Sequence, residues 1–545
     1  MKQTQPINGF TIQNEAQLAC VCLAILNKNP NYAQSNLSQT ELTYITNLNI
    51  TNLDQSEVEQ GLLDNIYEES INGIDVLGMF FNNVRSAIER REQGAVYTPQ
   101  LIIDSMFDLI KDYKNLNRII DPGAGSGRFI ITAARVFPNT ELIAIELDPL
   151  AALMLRANIF LHKLETRTTI YVEDYRNIHL PECTGRSAFV GNPPYLRHHN
   201  ISATWKEWFS TQFTVMNIKA SALAGLHVYF FLKTFLLSRS GDIGVFITSS
   251  EWLDVNYGSA LKELLLLHLG CISLRIIAPQ IEVFPGTATT AVITSFEIGE
   301  TTKPIQFQRI DNLEQINSNS TEIYLNRKNI LSKEKWSKLT VNEIETDYET
   351  IELGELFEVH RGQVTGSNNI WIAGEHSECI PESLLIPTVT KARELIAAGA
   401  NLQSTNGLRR IVDIPADLDT LDSQERKSVE VFLEWAKSVG ADTSYTARHR
   451  KSWWAVGLKK SAPILCTYMA RRNPQFTRNS CFAKHINVVH GLYPKKILPD
   501  ATLDKIVSWL NSNIKVSDGR TYAGGLTKFE PKEIERLRIP FHIGN

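Results

Sequence analysis

The sequence predicts an α/β chain: a doubly wound, mostly parallel sheet, with a helical amino-terminal extension before it and an α+β domain after it. Three observations carry this expectation. Apolar strand patterns alternate with helical ones over residues 118–172, and that alternation is how parallel sheets are built. A glycine loop and two acids fall where these strands end, the edge at which open α/β sheets bind ligands. At the same edge, the apolar run Ala188-Phe189-Val190 leads straight into Asn192-Pro193-Pro194-Tyr195, a turn stiffened by two fixed φ angles.

Taken in order, residues 1–90 form the amino-terminal extension; from Thr11 onward they are rich in Leu, Ile, Asn and Gln and read as several helices. No Pro-Asp…Glu-x-Lys nuclease pattern occurs there. Gly94-Ala95-Val96-Tyr97-Thr98-Pro99 precedes an apolar helix over 101–110. A first strand over 118–122 runs into Gly123-Ala124-Gly125-Ser126-Gly127, followed by a helix over 129–136. Glycines at such a turn let backbone approach a ligand and adopt dihedrals a Cβ forbids. A second strand, 142–145, ends at Glu146-Leu147-Asp148, where an acid is placed to bind vicinal ribose hydroxyls. A helix over 150–164 and a third strand over 168–172 lead to Asp174-Tyr175. Further strands are expected over 244–248 and 291–296, with a helix over 259–268 and Val283-Phe284-Pro285-Gly286 between them. The sheet domain is therefore placed at 91–300, a polar transition at 301–350, and the last domain at 351–545.

Composition sets wider bounds. The chain has 545 residues, enough for more than one core, and its 43% hydrophobic and 21% charged content is ordinary for a globular protein. Seven scattered cysteines without a C-x-x-C argue against a disulfide framework or zinc site and fit a reducing cytoplasm. No metal is called for. The polar amino terminus lacks a signal-peptide apolar region, and the most apolar stretch, 222–237, is broken by His227 and Lys233.

Net charge is −4, yet no Asp or Glu occurs from Thr443 to Pro499. Arg448, Arg450, Lys451, Lys459, Lys460, Arg471, Arg472 and Arg478 all fall in that window, interleaved with Trp453, Trp454, Tyr468 and Phe476. Most of these aromatics read as core. The basic run itself is the electrostatic footprint expected of a phosphate-contacting face, with DNA contact favoured over basic residues scattered on a solvated surface.

The proline turn carries the chemistry. Two prolines remove two backbone donors, leaving the Pro193 carbonyl able to accept, and the Asn192 side-chain oxygen is a second acceptor. Two fixed acceptors beside the Tyr195 ring suit a planar amine such as the exocyclic NH₂ of a nucleobase. NAD enzymes share the outline of a glycine loop with a downstream acid, but here the loop reads Gly-x-Gly-x-Gly after Asp121-Pro122. Hydride transfer would also leave the proline turn unexplained.

Glycine loop, acidic strand tips and Asn-Pro-Pro-Tyr, in that order, resemble class I S-adenosylmethionine-dependent methyltransferases that act on an exocyclic amine. With Tyr97-Thr98-Pro99 ahead of the loop and the basic region last, the chain resembles the gamma class of DNA adenine-N6 methyltransferases of restriction–modification systems. Two stretches resemble the target-recognition part of larger members: Arg361-Gly362-Gln363-Val364-Thr365-Gly366 with Asn368, and Tyr522-Ala523-Gly524-Gly525-Leu526-Thr527-Lys528-Phe529-Glu530-Pro531. The resemblance covers about residues 91–540.

It implies that Tyr97, Thr98 and Asp121 hold the methionine end of the cofactor beside the backbone of Ala124, Gly125 and Gly127. Glu146 would take the ribose hydroxyls, Leu147 pack on the adenine ring, and Asp174 accept from the cofactor's amine with Tyr175 nearby. Asn192 and Pro193 would grip the target amine, Pro194 stiffen the turn, and Tyr195 and Phe284 stack on a flipped base. Double-stranded DNA is the implied partner, with a separate cognate endonuclease a further one. An N4-cytosine enzyme would need the same turn but usually shows Ser-Pro-Pro-Tyr. Protein-glutamine and ribosomal-RNA methyltransferases share the turn without a long recognition domain. A DNA-specificity module with an inactive catalytic fold is the remaining alternative, against which the intact motifs stand.

Overall fold

The structure is a computed structural model that describes residues 9–28, 36–50, 58–86, 89, 97–284, 290–317, 322–331, 333, 335–340, 349–470, 472–522 and 526–544. The chain divides into two compact units, Met1–Asn342 and Glu343–Asn545.

The first unit begins with helices α1 (Glu15–Leu26), α2 (Gln39–Asn47), α3 (Gln60–Ile71) and α4 (Val76–Val84). Helix α5 (Gln100–Asp108) then leads into strand β1 (Leu116–Pro122), helix α6 (Arg128–Val136) and strand β2 (Glu141–Glu146). Next come α7 (Pro149–Leu161), β3 (Thr168–Val172), β4 (Arg186–Gly191), α8 (Ala203–Val215), α9 (Leu226–Leu237) and β5 (Ile243–Thr248). Strands β6 (Cys271–Ile277), β7 (Ala291–Glu297), β8 (Ile305–Ile310) and β9 (Glu322–Leu325) complete one sheet of order β3-β2-β1-β4-β5-β7-β6-β8-β9.

Strands β3 through β5 pair in parallel, and β7 runs antiparallel between β5 and β6. The period of two along each strand explains why the sheet is covered on both faces. Ile120, Ile143, Phe189 and Phe246 face a core shared with α9. Their neighbours Ile119, Leu142, Ala188, Val190 and Val245 face a core shared with α5 and α6. The order reverses at β1, whose neighbours are β2 and β4, so the crevice between the ends of β1 and β4 is the topological switch point.

Two expected boundaries differ from what the structure describes. The stretch 301–350 is not a mere transition, because β8 pairs with β6 and β9 with β8. Trp336, buried, packs edge-on against Trp252 and Phe307. Its polar composition misled because edge strands alternate polar and apolar residues. The amino-terminal helices are likewise not a separate body. Leu18, Leu23, Leu63 and Phe80 share one core with Leu150, Met154 and Leu161 of α7.

A buried ion pair fastens that junction. Glu41 of α2, wholly buried, accepts from Arg156 of α7 at 2.7 and 3.0 Å. The same carboxylate closes a capping box with Ser38.

The second unit is α+β. Its five-stranded sheet has the strand order Phe357–Arg361, Val489–Pro494, Ile464–Thr467, Phe476–Asn479, Asn401–Leu402. The helix Ser423–Ser438 shares a core with a smaller, three-stranded sheet, and the helix Asp500–Asn513 with the five-stranded one. The first of these helices buries Val429, Phe432, Leu433 and Ala436 on one face, as its amphipathic pattern predicts. Among the described residues, no helix is long and apolar enough to cross a membrane.

Glu41→Leu should lower stability by about 3–5 kcal/mol, because it strands the Arg156 charge in the interior. Glu41→Leu with Arg156→Met should recover most of that loss. Chemical denaturation of the three proteins checks both statements.

Candidate active site

The glycine loop is pinned to the sheet before it reaches any ligand. The Gly123 and Ala124 N–H groups both donate to the Ile145 carbonyl of β2, at 2.8 and 2.9 Å. Gly123, Gly125 and Gly127 have φ of 90°, 56° and 93°, a region where a side chain is strained. Gly127 also abuts α7, where an added Cβ would stand 2.6 Å from the Leu155 side chain. Gly127 is the N-cap of α6, so the helix starts directly from the loop.

Two carboxylates lie below the loop. Glu146 accepts from the Gly125 N–H at 2.7 Å and the Asp148 N–H at 2.8 Å. Burial pushes its carboxyl up, against the pull of those two donors. Asp121 is wholly buried and neither of its oxygens has a hydrogen-bond partner. Burial, and after it the charge of Glu146, holds its carboxyl well above the usual range. Gly191 at the end of β4 is what makes room for it, since an added Cβ would meet Asp121 Oδ1 at 2.6 Å.

The proline turn stands beside this loop, as the pairing of β1 with β4 requires. The Asn192 amide donates to the Thr98 hydroxyl at 3.0 Å, which turns its carbonyl end the other way. Arg128 donates to the Thr98 carbonyl and lies 4.1 Å over the Tyr97 ring. One cavity of ≈ 390 Å³ brings together Tyr97, Thr98, the glycine loop, Glu146, Leu147, Asp174, Tyr175, Asn192 and Pro194. That size suits a nucleoside-sized ligand. Leu147 is 61% exposed, an apolar surface open at the cavity.

Three of the expected site residues are held by partners of their own. Asp174 is already engaged: Arg176 binds it through two nitrogens, at 2.9 and 2.5 Å, while stacking 4.0 Å over Trp205. Tyr175 turns its hydroxyl into the core, onto Thr234 at 2.9 Å, and offers only its ring, 5.0 Å from Phe230. Phe284 is wholly buried and meets Tyr195 edge-on at 5.7 Å. It therefore buttresses Tyr195, presenting no open face of its own for stacking. The residues that sequence reasoning missed are Arg128, Arg176 and Phe230, together with Gly78, Phe81 and Asn82 of α4. The last three lie in the extension, where no motif signals a ligand.

The basic residues of the second unit also separate. Arg448, Lys451, Lys459, Lys460 and Arg472 are exposed. Arg450 is half-buried and donates to the Val364 carbonyl at 2.6 Å. Arg478, expected among the phosphate contacts, is instead buried in the strand Phe476–Asn479, donates to the Pro463 carbonyl and pairs with Asp500 and Asp504. A strand interior and two carboxylates have claimed its charge, so it is no phosphate contact. Arg471, Gly94, Ala95, Val96, Pro285, Gly286, Ala523, Gly524 and Gly525 lie outside the described residues. Of the aromatics, Phe476 is core, Trp453 and Trp454 pack against a core cluster, and Tyr468 stacks on His490 at 4.4 Å.

Residues 73–351, about half of the chain, match the family described as N-6 DNA Methylase. The chain belongs to this family. Residues 326–545 match the C-terminal domain of the Type II methyltransferase M.Eco57I. The Type II methyltransferase M.XamI of Xanthomonas campestris pv. amaranthicola is 50% identical over 532 residues, covering 97% of this chain and 99% of the relative. M.AccI of Acinetobacter calcoaceticus is 23% identical over 483 residues, 83% of this chain and 86% of that one. Among solved structures, the DrdV–DNA complex covers 89% of this chain and 59% of that chain at 13% identity, with a TM-score of 0.51. That likeness is one of fold. This member of the family is thus an adenine-N6 DNA methyltransferase of the gamma class, of the restriction–modification type.

The raised carboxyl of Asp121 has a consequence for stability. A group whose folded-state value is raised contributes stability below its unfolded value and loses it as pH rises through the folded one. As pH rises above the usual carboxyl range, the buried Asp121 carboxyl therefore costs the ligand-free protein stability. Asp121→Asn should raise its melting temperature, by the equivalent of about 1–3 kcal/mol, with a gap from the parent that widens from acid to neutral pH. Melting curves of the two proteins across that range decide it.

Proposed function

We propose that the cavity at the β1–β4 switch point binds S-adenosylmethionine and that Asn192-Pro193-Pro194-Tyr195 presents the N6 amine of a flipped adenine to it. The observation that carries this reading is the pair of unpartnered, buried Asp121 oxygens beneath a glycine loop. Orphaned carboxylate oxygens call for a cationic partner, and the cofactor's ammonium is one. Glu146, already fixed by two backbone donors, keeps lone pairs for ribose hydroxyls. Leu147 and the Tyr175 ring are the apolar surfaces for the cofactor's adenine. Asp174, oriented by Arg176, is the acceptor for its amine.

When bound, S-adenosylmethionine supplies a methyl group activated on a sulfonium. The chain's own task is to make a poor nucleophile attack it. The adenine amine is unreactive because its lone pair is delocalised into the ring. Asn192 Oδ1 and the Pro193 carbonyl, accepting from the two amine hydrogens out of the ring plane, favour the pyramidal nitrogen that can attack. That is stabilisation of the transition state combined with alignment, and no covalent enzyme adduct is needed. The methyl–sulfur bond would break as the new N–C bond forms, the sulfonium leaving as a neutral thioether, and one amine proton would pass by way of the acceptor pair to water. Tyr195, braced by Phe284, offers a ring on which the extruded base stacks in place of its lost neighbours. The exposed Arg448, Lys451, Lys459, Lys460 and Arg472 contact phosphate, while base readout belongs to other side chains of the second unit. A cognate endonuclease on a separate chain completes the proposed system.

Two outcomes test this. Asn192→Ala should reduce methyl transfer by roughly 10²–10³-fold with cofactor affinity unchanged. Modification mapping of plasmid from a methylation-free host should then show N6-methyladenine in one short motif with the parent and none with the variant. For DNA binding, Lys451→Gln and Lys459→Gln should each flatten the dependence of log Kd on log salt by about one. Arg478→Gln should instead lower stability and leave that slope as it was. Fluorescence polarisation over a salt series separates the two behaviours.

A further inference from the structure

Helix α4 belongs to the amino-terminal extension, yet both its ends are tied to the loops that line the cavity. At its start, Asp75 is the N-cap and accepts from the Gly78 N–H at 2.9 Å. The same carboxylate accepts from the Ser126 hydroxyl of the glycine loop and, at 3.3 Å, from Asn158 of α7. Asn158 in turn donates to the Ser126 carbonyl at 2.9 Å, so Ser126 is held through both its side chain and its backbone. At the far end, Arg85 donates to Asp148 and, at 2.7 Å, to Glu15 of α1. Asp148 caps α7 through the Leu150 and Ala151 N–H groups and gives its own N–H to Glu146. Between these two ties, Gly78, Phe81 and Asn82 line the cavity.

Gly78 shows how closely the parts fit. A Cβ there would stand 2.3 Å from Asp75 Oδ2, the oxygen that holds Ser126. The glycine lets the cap fold back over its own helix and still reach the loop.

We propose that α4 is the fourth wall of the cofactor site: Phe81 contacts the bound cofactor, and Asp75, a positioning residue, holds Ser126 and with it the glycine loop in binding geometry. The proposal rests on the cofactor reading of the cavity given above. It makes the extension part of the methyl-donor site, where a packing role alone would leave cofactor affinity untouched. Asp75 acts at one remove, so its loss raises KM for the cofactor and spares kcat at saturation. Phe81 acts through lost apolar contact and moves the same constant.

The test is titration of the full chain with S-adenosylmethionine, with steady-state methylation of unmethylated bacterial DNA alongside. The variants are Asp75→Asn, Phe81→Ala and Asp121→Asn, each with a melting curve to show that it folds. The expected result is a rise in cofactor Kd and KM of roughly ten- to hundredfold for Asp75→Asn, the range for losing hydrogen bonds to a charged group. Phe81→Ala should raise both about tenfold, and DNA affinity and kcat at saturating cofactor should stay near the parent's. If Asp75→Asn fails to fold, Phe81→Ala decides. Parent-like cofactor affinity in the folded variants, with Asp121→Asn impaired, overturns the role of α4 and leaves the cavity reading standing. Parent-like affinity in Asp121→Asn as well overturns the cavity reading and this proposal together.

Discussion

Everything near the switch point is arranged around two carboxyl groups that the sheet buries without a cationic partner. Asp121 stands at the end of β1 with neither oxygen satisfied, and Glu146 stands at the end of β2 with only backbone donors. Burying a carboxylate unpaired is unfavourable, and the neighbouring residues limit that cost without removing it. Gly191 clears the space beside Asp121, the Gly125 N–H turns toward Glu146, and the Asp148 N–H meets its other oxygen. A fully satisfied pair would make a more stable sheet and a poorer binding site. This is the trade between stability and function seen wherever a site must wait for its ligand.

The same constraint explains why the glycine loop needs so much support. A loop with three residues in left-handed backbone has little intrinsic preference for one conformation. It keeps its geometry because each part is held by a different element. The Ile145 carbonyl takes two of its N–H groups, Glu146 takes a third, and Gly127 passes into α6. Helix α7 contributes from behind, through Leu155 against Gly127 and Asn158 against Ser126. Because α7 also carries Arg156, paired with Glu41, and packs six residues into the amino-terminal core, the loop's rigidity draws on the extension.

The sequence made legible what local chemistry dictates. Asp121-Pro122 with the glycines, Glu146, Asp174 and the proline turn each sit directly after an apolar strand, and strand ends are set by short-range pattern. Of these, Gly123, Gly125, Glu146, Asp174, Asn192 and Pro194 line one cavity, and Asp121 is buried beneath its glycine loop. What was not legible depends on contacts between distant segments. Arg478 reads as one more basic residue, and only the helix Asp500–Asn513 reveals that Asp500 and Asp504 claim it. Phe284 reads as a stacking ring, but it is buried in the core that the sheet shares with α5 and α6. Strands β8 and β9 were hidden because an edge strand half in water alternates polar with apolar and resembles a linker. The Asp174–Arg176 fork could have been read locally, being two residues apart, whereas Trp205, which fixes the guanidinium, lies in a different helix.

Charge is also partitioned along the chain in a way that net charge conceals. The cavity is lined or underlain by carboxylates, while the exposed cations of the second unit occur in a stretch with no acid at all. DNA offers both an anionic backbone and neutral bases, and under the proposed function the two charge environments would sort them. Lys451, Lys459 and their neighbours would attract phosphate, and Glu146 would repel it. A base turned out of the helix carries no charge and pays no such penalty on approaching a carboxylate. On that reading the carboxylates would do more than hold a cationic cofactor: they would favour entry of the one part of the polymer that can react, without any contact that reads sequence.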